Sequence, residues 1–281
     1  MNYKIPIILA IIIMIAVVAG VLAYANSHNT NNGSDNNFHY VSLGVIHLYN
    51  TSPLIAFIQN YYNNSNISLL PQIIGNGTFN IISFNNTQAL IGYVKAVGPL
   101  SSLAFYAINE TLVKHGFTYA QYKSLLYDYK NNTAIGFDGY YFYLVKDNSS
   151  TNTTIYLLKY LYVSPKIFAS QPSKDIIIYG TYNNTNFKLI ANSSIVLMKS
   201  NYTIGNMFSN LTKIFKFFNI TIGNFSATGK VVYKNSSVIV YSVNSTYDGK
   251  ELYVMLGISN NQEVTILSTS PISVNEVLNE L

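Results

Sequence analysis

The chain contains no cysteine and no tryptophan, and all sixteen of its basic residues are lysine, so arginine is missing as well. Without cysteine there are no disulfides and no thiolate metal sites, and the fold does not depend on redox compartment. Without arginine there is no planar fork to grip a phosphate or carboxylate bidentately. Acidic residues are scarce, eleven in 281. Asn, Ser, Thr and Tyr take their surface places, and such a surface does not lose stability through carboxylate protonation in acid. An AT-rich genome would give the same bias toward Asn, Ile, Lys, Tyr and Phe.

The formal charge is +5 and the pI near 9.0, but the lysines are scattered from Lys95 to Lys250. Lys213 and Lys216 are the nearest approach to a cluster, and they fall on the polar face of a predicted helix. Nucleic-acid binders carry a concentrated basic footprint, so a nucleic-acid partner is not expected. With 49% hydrophobic residues the chain is too apolar to be disordered.

Residues 5–24 form an apolar run interrupted only by Pro6 and Gly20, with Lys4 before it and no further Lys until Lys95. Such a run spans about 30 Å as a helix, the thickness of a hydrocarbon core. The charge asymmetry places the N-terminus in the cytoplasm and the remainder outside. Residues 1–25 are therefore read as a signal-anchor or signal peptide. Ala23-Tyr24-Ala25 offers a cleavage site that would release a secreted form, but the apolar run is longer than a usual signal core. Residues 26–37 (NSHNTNNGSDNN) form a polar flexible spacer.

Asn-x-Ser/Thr recurs eighteen times, at Asn32, Asn50, Asn63, Asn66, Asn76, Asn85, Asn109, Asn131, Asn148, Asn152, Asn183, Asn192, Asn201, Asn210, Asn219, Asn224, Asn235 and Asn244. With 36 Asn in the chain, and Ser plus Thr at roughly one residue in six, chance supplies about six. These are the candidate N-glycosylation sites. The competing structural explanation is that Asn, Ser and Thr cluster in turns. Asn210 argues for exposure, because residues 203–218 have a helical apolar face and Asn210 lies opposite it.

From residue 38 to 281 the pattern is α+β: an ectodomain of antiparallel sheet with packed helices. Strands are expected at 38–49, 78–84, 88–97, 140–146, 154–163, 175–182, 187–191, 195–199, 227–234, 238–243, 250–258 and 262–268. Asn85-Asn86 and Asp248-Gly249 read as hairpin turns. Helices are expected from Ser52-Pro53 to about Tyr62, over 99–115 closed by Gly116, over 118–130, over 203–218, and from Ser273 with Glu276 at capping-box spacing. The pattern of a helix followed by antiparallel strands fits two or three passes, but its self-similarity is too weak to define a repeat. A single domain and two lobes, 38–200 and 201–281, both fit.

Motifs of chemistry are missing: there is no G-x-S-x-G, Ser-x-x-Lys, H-E-x-x-H or P-loop. His28 lies in the spacer and His115 at a helix end. His39 and His47 share a strand face but lack a third metal ligand. Asp138 is the best candidate for one member of an acid-hydrolase carboxylate pair, with Asp128 and Asp147 as possible partners, although Asp138-Gly139 is first a turn signal. The tyrosines are densest at 61–62, 140–143 and 156–162, and in strands half of each patch must face the core. No catalytic, cofactor or metal residue is assigned.

The Lys4-led apolar run, the Asn/Ser/Thr spacer and the Tyr-, Ile- and Asn-rich, Cys-free exterior crowded with sequons resemble exported, membrane-anchored surface proteins of thermoacidophilic archaea. The resemblance is one of composition and implies heavy N-glycosylation and a place beneath or within a surface layer. The expected function is a membrane-anchored extracytoplasmic glycoprotein with a binding or envelope-structural role and envelope proteins as partners. The alternatives are an exported carrier or receptor for an apolar or sugar ligand, a secreted acid hydrolase, and a released antimicrobial protein. An enzyme is the less favoured class, and no cofactor is implied.

Overall fold

The computed structural model describes residues 40–62, 72–84, 87–182, 185–201, 226–247, 250–259 and 262–281. The expected anchor and spacer, the helix at 203–218 and the turn residues 85–86 and 248–249 lie outside them. Among the described residues no helix is long and apolar enough to cross a membrane.

Period-two alternation produces most of the architecture. The first strands are β1 (Val41–Leu48), β2 (Ile74–Phe84) and β3 (Thr87–Ala96), a meander with helix α1 (Ser52–Tyr62) between its first two members. Helix α2 (Leu100–Lys114) leads to a second meander, β4 (Thr118–Tyr122), β5 (Leu125–Lys130), β6 (Thr133–Phe137) and β7 (Tyr141–Asp147), followed by helix α3 (Thr151–Val163). Then come β8 (Ile176–Tyr182), β9 (Thr185–Ala191) and β10 (Ile195–Ser200). The last elements are β11 (Ser226–Lys234), β12 (Val238–Tyr247), β13 (Lys250–Ser259), β14 (Glu263–Ser268) and helix α4 (Val274–Glu280). The expected α+β class is therefore present as a mostly antiparallel sheet with a few helices.

All fourteen strands form one sheet, in the order β11-β12-β13-β14-β10-β9-β8-β1-β2-β3-β7-β6-β5-β4. Read outward from the centre, the two sides are the same: a three-strand meander, then a four-strand meander whose last strand pairs with the third. The first half uses β1–β7 and the second β8–β14. They meet where β1 pairs antiparallel with β8 in a register through Ile46↔Gly180, which gives the sheet a local two-fold axis. The halves are joined by residues 164–175, and Ser200 ends β10 inside the second half, where it pairs with Glu263 of β14.

Counting outward from that seam along one row pairs residues between halves. His47, Thr78, Tyr93, Tyr143 and Gly136 on one side correspond to Tyr179, Lys188, Lys199, Val264 and Gly257 on the other. The two glycines coincide for a packing reason. A Cβ on Gly136 would lie 2.9 Å from Leu125, and one on Gly257 would lie 2.5 Å from Val277 of α4. Each half also ends alike. Asp147 accepts the N–H of Ser149 at 2.7 Å, and Ser268, its counterpart, accepts that of Ser270 at 3.0 Å. Ser150 and Ser273 then cap the helices. One arm of the capping box expected from the sequence is present, the Glu276 N–H donating to Ser273 Oγ at 3.3 Å, and the Ser273 hydroxyl donates to the Glu276 carboxylate at 3.2 Å.

Two readings of the sequence are corrected. Residues 118–130 form a hairpin rather than a helix; Lys123 turns the chain at φ 55, and Tyr119, Ala120 and Gln121 pair with Asp128, Tyr127 and Leu126. Residues 154–163 form α3 rather than a strand, because Thr154, Leu157, Leu158 and Leu161 place one buried stripe at helical spacing. The helix over 99–115 does form, and Gly116 ends it at φ +82.

The row containing His47 and Tyr93 belongs to the front face of the sheet. α3 covers the front of the first half, with Leu157, Leu158 and Leu161 packed on Ile91, Tyr127, Ala134 and Val145. α4 covers part of the second, with Val277 packed among Val240, Met255 and Ile266. On the back face α1 packs Leu54, Ile55 and Phe57 against Ile46, Ile81, Ile178 and Leu189.

Candidate functional site

Sequons are the sites the sequence singles out. The structure describes the side chains of nine of their asparagines: Asn50, Asn76, Asn109, Asn131, Asn148, Asn152, Asn192, Asn201 and Asn235. None is buried, and all but the half-buried Asn109 are exposed. Asn32, Asn63, Asn66, Asn85, Asn183, Asn210, Asn219 and Asn224 lie outside the described residues, as does the side chain of Asn244. Three sequons close the same local turn, in which the Asn Oδ1 accepts the N–H two residues on: Asn50 from Ser52 at 3.0 Å, Asn192 from Ser194 at 2.8 Å and Asn235 from Ser237 at 2.8 Å. The turn explains an Asn at these places without a glycan. Aspartate would close the same turn.

Asp138 also closes a turn, accepting the N–H groups of Tyr140 and Tyr141 at 2.8 Å each. Its second oxygen takes the Tyr143 hydroxyl at 2.7 Å. Burial and this carboxylate drive the Tyr143 phenol far above its ordinary value. Strand alternation therefore points Tyr141 and Tyr143 to the front, while Phe142 packs behind.

The carboxylate pair imagined for hydrolysis is not assembled. Asp147 lies on the front face and binds Thr154 Oγ1 at 2.6 Å. Asp128 lies on the back, because its neighbours Leu125 and Tyr127 face forward. Asp128 is fully buried, and neither oxygen has a hydrogen-bond partner among the described residues. Desolvation pushes its carboxyl up to about 6.

His47 sits on the front row, where burial lowers its basicity; its Nδ1 is 3.4 Å from Thr78 Oγ1. His115 lies 2.8 Å from the Thr111 carbonyl at the end of α2, as its position suggested. His28 and His39 are outside the described residues. Among the described residues no three metal-ligating side chains converge.

Two features of the front face were not read from the sequence. The first is a strap, residues 164–175, which crosses from α3 to β8. Tyr93 and Thr78 donate their hydroxyls to the Ile167 carbonyl at 2.7 and 2.9 Å, and Ile167 N–H donates back to Tyr93 at 2.6 Å. Tyr49 donates to the Ser170 carbonyl at 3.2 Å. Lys166 fixes the near end. Its ammonium binds the carbonyls of Leu161 (2.8 Å), Tyr162 (3.0 Å) and Ser164 and lies 5.2–5.9 Å from the ring centres of Tyr93, Tyr141 and Tyr143. Burial lowers its pKa, opposed by the charge of Asp138.

The second is a cavity of about 390 Å³ on the front of β8–β10. Ile176, Ile190, Ile195 and Leu197 line it, with Lys188 among the polar members and Ser173, Asp175 and Asn192 near the other end. Pro165 and Pro172 punctuate the strap and the Asn192 sequon touches the cavity, but the contacts that build both features come from strand pairing between distant segments.

No protein-family model and no curated protein matches the chain. Among solved structures, crystal forms IV, III and I of TP0453 align at TM-scores of 0.35, 0.31 and 0.31 with 10%, 9% and 8% identity. The alignments cover 82%, 90% and 82% of this chain and 90%, 99% and 90% of those chains. Similarity at that level carries no argument about function.

Proposed function

We propose that the protein is a membrane-anchored extracytoplasmic glycoprotein with a binding or cell-envelope structural role. Residues 1–25 would hold it in the membrane, residues 26–37 would space it from the lipid, and the two-halved sheet would stand outside as a scaffold. The reading is carried by the sequons. They occur about three times as often as chance supplies, and the nine with described side chains avoid the core. Glycans need that exposure. The charge asymmetry about the apolar run supports the orientation.

Intact mass and N-terminal sequencing of the protein from its native source test both parts. The expected results are a mass well above the 31.3 kDa of the polypeptide and an N-terminus upstream of Asn26. An unmodified mass removes the glycoprotein reading, and a chain starting at Asn26 removes the anchor.

A further inference from the structure

We propose that the cavity on β8–β10 binds an aliphatic monocarboxylate, with its carboxylate on Lys188 and its chain on the isoleucine and leucine floor. The site does not depend on how the body is attached to a membrane, and Asn192 is the one sequon asparagine that lines it.

The first half of the molecule indicates what belongs there. Its hydroxyls of Thr78 and Tyr93 converge on one acceptor oxygen, the Ile167 carbonyl of the strap. Their counterparts in the second half are Lys188 and Lys199, directly opposite each other on neighbouring strands. No strap among the described residues covers them. Two hydrogen-bond donors have thus been replaced by two ammonium groups, of which Lys199 is held by Glu280 of α4, and the acceptor that matches the ammonium of Lys188 is an anionic oxygen.

Charge accounting points the same way. Like charges directly opposite on a sheet repel. Lys199 is neutralised by Glu280, to which it is salt-bridged while also binding the Glu280 carbonyl at 2.9 Å. Lys188 has no hydrogen-bond or ion-pair partner among the described residues, so one positive charge is left over. A single carboxylate balances it.

The floor selects the rest of the ligand. Ile190 pairs with Ile176 on one side and Leu197 on the other, and Ile195 extends the patch on the same face. From Lys188 to Asn192 the strand runs about 13 Å, which suits a chain of about ten carbons. Asp175 also lines the cavity, next to Ile176, whose partner Ile190 is two residues along the strand from Lys188. The floor's aliphatic side chains offer no hydrogen bonds to a peptide backbone, so a free acid is favoured over a peptide end.

The test uses the full chain in nanodiscs of long-chain phospholipid, titrated calorimetrically with decanoate against empty nanodiscs. Saturable one-to-one binding is expected, at least tenfold weaker for Lys188→Met, lost for Ile195→Phe, and weaker for decanol than for decanoate. Lys188→Met keeps the stem of a half-buried side chain, and circular dichroism would verify its fold. Binding no greater than that of empty nanodiscs would overturn the assignment. So would equal decanoate affinity in the native chain and Lys188→Met. Binding is read on the unglycosylated chain and glycosylation on the mass of the native protein, so the two readings fail separately.

Discussion

The two halves share strand order, a glycine under each packing position and a serine-capped closing helix, yet they finish their front faces differently. In the first half α3 runs from Thr151 to Val163 and buries three leucines, and the strap continues the cover across β3, β2 and β1. In the second half α4 is limited to Val274–Glu280 and buries Val277. Among the described residues the same topology thus yields a strapped surface on one side and an apolar floor without a strap on the other. A fold can be duplicated as a scaffold while its two copies finish their faces differently.

The sharpest way to break the comparison is to cut the cover of the sealed half. Leu157→Ala is expected to cost about 3–4 kcal/mol, since a fully buried leucine would leave a cavity, and Val277→Ala in the other half about 2 kcal/mol. Urea titrations followed by circular dichroism read both. Equal losses would mean that the two helices carry equal weight.

The halves differ next on the back face. Asp128, buried without a hydrogen-bond partner among the described residues, corresponds to the half-buried Tyr241 by the row count along β5 and β12. A carboxyl raised to about 6 in the fold from an ordinary 3.8 keeps its proton in the native state while the unfolded chain has lost it. Its contribution is therefore fully present below about pH 4, falls as pH rises through about 6, and levels off above. The difference corresponds to roughly 2–3 kcal/mol. Asp128→Asn should raise stability by about 2 kcal/mol at pH 7.5 and by almost nothing at pH 3.5. A gain independent of pH would show that desolvation of the charge is not the cause.

Lys166→Met probes the strap. Loss of three carbonyl contacts and the ring contacts should cost about 1–2 kcal/mol and increase protease cutting within 164–175. The smallest effect is expected at the sequons. Asn192→Asp keeps the turn acceptor, so stability should change by less than about 0.5 kcal/mol while the native mass drops by one glycan. An unchanged native mass would assign Asn192 to the turn alone.

What the sequence revealed follows from how local each signal is. The strands β2 and β3, the helix ended by Gly116 and the capped helix at Ser273 carry their own punctuation, and each was legible. The hairpin at 118–130 was hidden because Lys123-Ser124 is not a recognised turn pair. α3 was hidden by Thr153, Thr154, Ile155 and Tyr156, whose strand preference was overridden by burial of the leucine stripe. The exposure of the sequons could be anticipated, but the floor could not. Lys188, Lys199, Ile176 and Leu197 become neighbours only through two strand pairings.

The seam between β1 and β8 has a consequence for how such a molecule holds together. Each half offers the same edge to the other, in the manner of two identical subunits meeting about a dyad. The 164–175 tether makes that meeting intramolecular, so its occupancy no longer depends on how many copies the cell produces. A dilute population would keep its halves joined.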